Sequence, residues 1–318
     1  MVSLGGCILK SRIQFSAAYL SFSLLVLFCC TLPARASVRG SFQRSFQVSG
    51  TVDLEVLTHS GDIKVHTGPA GAVSISGKIF VGDRWLSGDR QNEVTELEKN
   101  PPIRQTGNSV RIDYVNVHNI SIDYDITVPA DTRLRTHSGS GDQTVEGLRS
   151  NLELESGSGD MRLNDLTGDL NVHTGSGNVD ARDVTGGFNA EAGSGDIRVN
   201  AKGNGDVRVH TGSGNIELRD VDGTVRAEAG SGDVTIEGTQ TGVWDIRTGS
   251  GNVRLRLPSQ AAFDLGASTG SGTVTVDHPV TMTVQGDVQR AQRSVSGKVR
   301  GGGPMLTVHT GSGDVQID

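Results

Sequence analysis

The chain has little cysteine, few aromatics and no concentrated basic segment. All three cysteines, Cys7, Cys29 and Cys30, fall within the first 30 of its 318 residues. Beyond them no disulfide framework is possible, so stability must come from apolar burial and backbone pairing. The length is ample for that. Aromatics make up 4 % of the chain and the formal net charge is −7. An acidic balance without a basic stripe excludes a typical nucleic-acid binder. No HExxH, P-loop or G-x-G-x-x-G is present, so the sequence predicts neither an enzyme nor a cofactor. The apolar stretch Ala17–Cys30 has 14 residues, short of the ~20 that a membrane-spanning helix needs.

That stretch has another reading. Lys10 and Arg12 precede it, and Ala34-Arg35-Ala36 follows as an A-x-A cleavage site. Residues 1–36 read as a secretory signal peptide. Lipidation at Cys29 or Cys30 is disfavoured, because Phe28 or Cys29 stands where a small residue belongs. Cleavage leaves 318 − 36 = 282 residues, and loss of Lys10, Arg12 and Arg35 takes the charge to −7 − 3 = −10. The expected location is periplasmic, cell-surface or extracellular, with no integral membrane segment after cleavage.

Glycine is abundant, with 44 residues. Gly-Ser-Gly occurs nine times, starting at Gly139, Gly157, Gly175, Gly193, Gly212, Gly230, Gly249, Gly270 and Gly311. The steps are 18, 18, 18, 19, 18, 19, 21 and 41 residues. The last predicts one degenerate unit within 273–310, and Ser60-Gly61-Asp62 looks like an earlier relic. Apolar residues alternate on both sides of each turn, as in Leu170-x-Val172-x-Thr174 and Val179-x-Ala181. Such alternation means strands with one buried face. A second glycine marks the far bend at Gly168, Gly186-Gly187, Gly205, Gly223 and Gly242. A unit of strand, turn, strand, turn is too short to bury its own apolar face, but stacked units can do so at rungs about 4.8 Å apart. The fold class expected is all-β, a parallel β-solenoid with 18–19-residue coils of two short strands.

A double coil of about 37 residues is the competing period. The outward columns argue against it. The residue after Gly-Ser-Gly runs Asp142, Asp160, Asn178, Asp196, Asn215, Asp233, Asn252. Two residues before each turn stand His137, Glu155, His173, Glu191, His210 and Glu228. After the turn run Arg162, Asp180, Arg198 and Glu217. Short coils make column neighbours complementary, whereas double coils stack like on like. Like charges at rung spacing cost about 0.9 kcal/mol even in water.

The remaining chain divides into 37–136, a β-rich N-terminal cap; 137–277, regular repeats; and 278–318, irregular C-terminal coils. Within the cap, Val52-x-Leu54-x-Val56, Ile63-x-Val65, Val73-x-Ile75, Val110-x-Ile112 and Ile120 to Val128 read as strands. Residues 88–99 read as a short polar helix stopped by Pro101-Pro102. Residues 285–304 read as a long loop or irregular coil. Leu306 to Thr310 and Val315 to Ile317 are expected to close the far end.

The segment Tyr124-DITVPADTRLRTHSGSGD, the GSGD/GSGN rungs after it and the ending VSGKVRGGGPMLTVHTGSGDVQI resemble one bacterial family. It comprises exported β-strand-repeat proteins of unknown function that carry the label "putative adhesin". The resemblance covers roughly residues 45–318. It implies a β-helical fold and an envelope or extracellular location, and it brings no catalytic residues. The label itself is an analogy of fold.

Three chemistries are open to the columns. The Asp/Asn column can serve the turns, since Asx side chains bond local backbone, or it can bind calcium. The His/Glu column is cross-rung pairing on a solvated face, a surface Zn²⁺ or Ni²⁺ site, or a pH-sensitive ladder. Carbohydrate and ice binding lack their usual aromatic or T-x-T platforms, and Trp244 falls on the inward phase. The sequence therefore predicts a non-enzymatic exported solenoid with an interaction or adhesin-like surface, whose partner is an envelope protein or glycan. The alternatives are a structural envelope protein stacked end to end and a carbohydrate-active β-helix.

Overall fold

The computed structural model describes residues 38–82, 90–281 and 293–318; the signal-peptide segment lies outside them. The described chain forms one sheet of 13 strands and a second of 14. The two strands of a repeat lie in different sheets. Leu152–Ser158 belongs to the second sheet and Met161–Thr167 to the first. Each pairs in parallel with its counterpart one repeat later, Leu152 opposite Leu170 and Met161 opposite Val179. Because side chains alternate along a strand, each rung sends every second residue inward. Leu152, Leu154 and Ser156 point in from one sheet and Met161 and Leu163 from the other, and all are buried. One helix, Gln91–Lys99, is present among the described residues, and no helix there is long and apolar enough to cross a membrane.

The inward column beside the turn is small: Ser156, Thr174, Ala192, Thr211, Ala229, Thr248. There the two strands of a rung meet at the Gly-Ser-Gly turn, and no residue of this column is larger than threonine. Some of these hydroxyls find a carbonyl partner, whereas those of Ser156 and Thr174 are buried without one. Thr211 and Thr248 donate to the carbonyls of Gly195 and Gly232, each at 3.0 Å. Bulk sits farther from the turn, as Phe188 and Trp244. Trp244 is fully buried, and its indole N–H donates to the Gly223 carbonyl at 3.0 Å.

Two glycines per turn have separate causes. A Cβ on Gly157 would stand 2.5 Å from the Gly139 carbonyl oxygen of the preceding rung. Gly159 has φ +141°, and a Cβ there would stand 2.1 Å from the Gly141 oxygen. The first glycine allows close approach; the second also allows a backbone conformation that L side chains avoid.

Both ends depart from the expected order. Met305–Ser312 and Val315–Ile317 do not close the stack. They lie between the rung of Trp244–Ser250 and Val253–Arg256 and the rung of Phe263–Ser271 and Val274–Val276. The 41-residue step therefore reflects an inserted rung rather than a degenerate one. Residues 294–299, expected in a loop, form a strand antiparallel to Phe263–Ser271, which Val280–Thr281 extends. The same inversion occurs at the other end. Asp53–Ser60 and Ile63–Thr67 lie between the strands Ser109–Ile112 and Ile120–Val128 on one side and Arg133–Ser140 and Gln143–Glu146 on the other. Much of residues 37–136 is thus stack, and the boundary drawn at 137 falls inside a strand. The apolar pattern of a rung is the same on both its edges, so pattern alone does not set its place.

The antiparallel additions blunt edges that would otherwise template further pairing. Ala72–Val81 lies antiparallel to Ile120–Val128, and Val38–Gln47 lies antiparallel to Ala72–Val81. The helix is fastened to this last strand. Ser41 N–H donates to the Glu98 carboxylate at 2.9 Å, and Arg44 donates to the carbonyls of Glu98 and Lys99 at 2.9 and 2.7 Å.

Replacing Gly159 by alanine combines positive-φ strain with a backbone collision, and should cost about 2–4 kcal/mol. Ser158→Ala, exposed in the same turn, should be neutral. Urea unfolding of both variants checks this; equal stabilities would contradict the close-approach argument.

Candidate functional site

The candidate residues lie in the columns that the stack turns outward. The Asx column is the most regular of these. Each side-chain Oδ1 accepts the backbone N–H of the Asx on the next rung. The chain of bonds runs from Asp123 to Asp62, Asp142, Asp160, Asn178, Asp196, Asn215, Asp233, Asn252, Asp314 and finally Thr273, at 2.7–3.0 Å throughout. The turn leaves this N–H without a partner in the parallel ladder, and the side chain below supplies one. Asp and Asn serve alike because only Oδ1 is used. An oxygen that already receives an N–H dipole is a poor ligand for calcium, which needs six to eight free oxygens. Among the described residues no three His, Cys, Asp or Glu side chains converge as a metal cluster.

Two of these carboxyls lie below their ordinary value of 3.8. For Asp142, burial is the largest single influence and pushes upward. The hydrogen bond from Arg162, the N–H of Asp160 and the Arg162 charge together outweigh it. For Asp314 the Thr273 N–H dominates, followed by the Thr273 hydroxyl.

The His/Glu column is in register along the second sheet, with His137 opposite Glu155, Glu155 opposite His173 and so on to His210 opposite Glu228. It is not a continuous line of contacts. It resolves into His137–Glu155 at 2.8 Å, His173–Glu191 at 3.6 Å and His210–Glu228 at 3.9 Å. The histidines are about half exposed, at 47–60 %. A metal ion at any of these pairs would find two protein ligands, one imidazole and one carboxylate. At the N-terminal end His59 stacks on Tyr114 at 4.5 Å, and Tyr114 meets His137 edge-on at 6.3 Å.

On the first sheet Arg162 turns back to Asp142 at 2.8 Å and Asp160 at 3.5 Å, rather than forward to Asp180. Asp180 pairs instead with Arg182 on its own strand at 2.7 Å. Arg198 reaches Asp196 at 2.6 Å and Glu217 across the rung at 3.7 Å. The column is complementary in charge, but three of these five pairs, Arg162–Asp160, Arg182–Asp180 and Arg198–Asp196, form within one rung.

Two features escape a reading by strict alternation. The first is a corner in the first sheet, where Asp165, Asp183 and Asp220 have φ of +49°, +57° and +55°. This left-handed residue breaks the parity, so Leu166, Val184 and Val221 turn inward three residues after Leu163, Ala181 and Leu218. The recurring signal is Asn/Arg-Asp-Leu/Val, and Asp tolerates that conformation. The second is Gly266-Ala267-Ser268-Thr269-Gly270, which has the spacing of a serine-nucleophile motif. Ser268 Oγ lies 3.0 Å from His309 Nδ1. The serine sits within the extended strand Phe263–Ser271 rather than at a strand-to-helix elbow. Among the described residues no carboxylate orients His309. The pair is a cross-rung hydrogen bond.

Three outcomes follow. Asp160→Asn keeps the Oδ1 acceptor and should leave stability unchanged, whereas Asp160→Ala should cost about 1 kcal/mol, read by urea unfolding. A carboxyl depressed in the folded state stabilises above its unfolded pKa, and that contribution is lost as pH falls through the folded value. Asp142→Asn should therefore flatten the loss of stability between about pH 5 and pH 2; an unchanged acid limb would contradict the assignment. His137→Gln should shift stability by no more than about 0.5 kcal/mol, and excess Zn²⁺ should leave the melting temperature unmoved.

No curated protein matches the chain. Solved structures do. A putative cell adhesion protein from Clostridium sporogenes is 12 % identical over 87 % of this chain and 98 % of its own, with a TM-score of 0.24. A putative adhesin from Bacteroides fragilis is 15 % identical over 87 % and 97 %, with a TM-score of 0.39. A putative lipid binding protein from Parabacteroides distasonis is 12 % identical over 88 % and 97 %, with a TM-score of 0.45. A family model matches residues 45–210 and 203–318, nearly the whole of the solenoid. The chain, with its stacked parallel rungs, belongs to the Toastrack DUF4097 family of unknown function.

Proposed function

We propose that the protein is a non-enzymatic, exported recognition module, adhesin-like in use, whose contact face is the outer side of the second sheet. One observation carries this reading. From Arg133 to Ser250 the second sheet keeps unbroken register across seven rungs. The first sheet shifts register at Ala181/Val184 and at Leu218/Val221, where its corner lies. Tight turns rather than long loops bound the strands of the second sheet. Its outer face is therefore a regular platform of charged and amide groups repeating at rung spacing. Such a surface suits a repeating partner, either an envelope glycan or an extended envelope protein. Catalysis would require convergent groups in a cleft, whereas these columns diverge from a pleated face. Residues 1–36 supply the export signal in this reading.

The test is binding of the chain from Ser37 onward to isolated bacterial envelope, with second-sheet variants (Arg135→Gln with Arg247→Gln) set against first-sheet variants (Arg182→Gln with Arg219→Gln). The second-sheet set should weaken binding at least about tenfold, equivalent to 1.4 kcal/mol, and the first-sheet set should not. Equal effects of the two sets, or cleavage of an envelope glycan by the wild type, would contradict the proposal.

A further inference from the structure

One place on the second sheet breaks its own charge rule. Elsewhere on the second sheet, arginines meet carboxylates, as in Arg135–Glu153 at 2.7 Å and Arg247–Asp245 at 3.0 Å. Arg208 does not. Its column neighbours are Asn189 on one side and Arg226 on the other. Among the described residues no carboxylate pairs with it. Two guanidinium groups therefore stand on adjacent rungs, on a chain whose formal net charge is −7.

Two carboxylates, Glu191 and Glu228, lie in the same depression as Arg208, but each faces other groups. Arg226 is engaged on one side only, donating through Nε and Nη2 to a single oxygen of Glu228 at 3.1 and 2.8 Å. That same carboxylate also faces His210 at 3.9 Å and Arg247 at 4.0 Å. One carboxylate is thus shared by three cationic or protonatable groups, and Arg208 lies outside the set. Asn189, Glu191, Arg208, His210, Arg226 and Glu228 line a shallow depression in the outer face. Glu191 in it is in register with His173 and His210 and faces His173 at 3.6 Å.

We propose that Arg208 and Arg226 form an oxyanion site, which takes a carboxylate or sulfate group. The spacing is favourable. Guanidinium groups on rungs about 4.8 Å apart can each donate to a different oxygen of one such group, and forked donors suit planar or tetrahedral oxyanions. The bound anion would remove the repulsion between the two cations. The site's position on the regular platform makes an acidic glycan the source that fits the proposed recognition role. In that respect the inference rests on the reading of the second sheet; the oxyanion chemistry itself does not.

The test is NMR titration of the arginine Nε–H signals in the chain from Ser37 onward. One arm uses sodium sulfate, one uses tetragalacturonate, and sodium chloride at matched ionic strength is the control. Saturable shifts at Arg208 and Arg226 in either arm, beyond the chloride control, are expected. Arg208→Gln should weaken the apparent affinity at least tenfold, Arg208→Lys should weaken it less, and Arg182→Gln should leave it unchanged. Saturation by tetragalacturonate at tenfold lower concentration than by sulfate would identify the glycan as source. Saturation by sulfate alone would keep the oxyanion site and remove the glycan. Shifts no larger than with chloride, or undiminished in Arg208→Gln, would overturn the site. Envelope binding measured separately with Arg208→Gln distinguishes failure of this site from failure of the platform.

Discussion

The structure depends on how closely two successive turns can approach. At each Gly-Ser-Gly the backbone of one rung lies against the carbonyls of the rung before it. A Cβ on Gly193 would stand 2.6 Å from the Gly175 oxygen, and one on Gly195 would stand 2.0 Å from the Gly177 oxygen. With the turns in contact, both sheets are held at hydrogen-bonding distance, and the register of every outward column follows. The Asx ladder then satisfies the one N–H that the turn geometry would strand. Glycine abundance at the turns and the Asp/Asn column beside them are consequences of this single constraint.

The constraint also explains why the ends are built differently. A stack of identical rungs presents an unpaired edge at each end, and both sheets end in antiparallel strands or a short strand here. At each end one rung is also placed out of chain order. The inserted rung 305–317 makes the same turn contacts as its neighbours: Gly311 approaches the Gly249 oxygen, and Gly270 approaches the Gly311 oxygen, each at 2.5 Å to a notional Cβ. The stack accepts any segment with the right turn, whatever its place in the chain.

That indifference marks the limit of what the sequence discloses. Alternation in Leu170-x-Val172-x-Thr174 reveals the buried face, because burial depends on local parity. The composition of the columns favours the short period, because most of the neighbours it creates are complementary, although Asp142 meets Asp160 and Arg208 meets Arg226. The order of the terminal rungs is not legible, since Val253-x-Leu255 fits Val315-x-Ile317 as well as it fits Val274-x-Val276. Nor is the corner at Asp165, Asp183 and Asp220, where one left-handed residue turns period two into a step of three. At the candidate site, the His/Glu column is readable as a line but not as three separate pairs, because side-chain rotation decides which neighbour is chosen. Arg208 is visible in the sequence only once its register partner is known to be Arg226.

On this account the regular outer face, proposed as the recognition face, depends on the turn ladder that keeps the rungs in register. The most direct test is hydrogen–deuterium exchange at the backbone amides of Asp160, Asn178, Asp196, Asn215, Asp233 and Asn252. These residues sit at the surface, yet each N–H is bonded to the side chain of the rung below. The account predicts protection at all six comparable to that of the buried-strand amides. Exchange at the rate of exposed turns would contradict it.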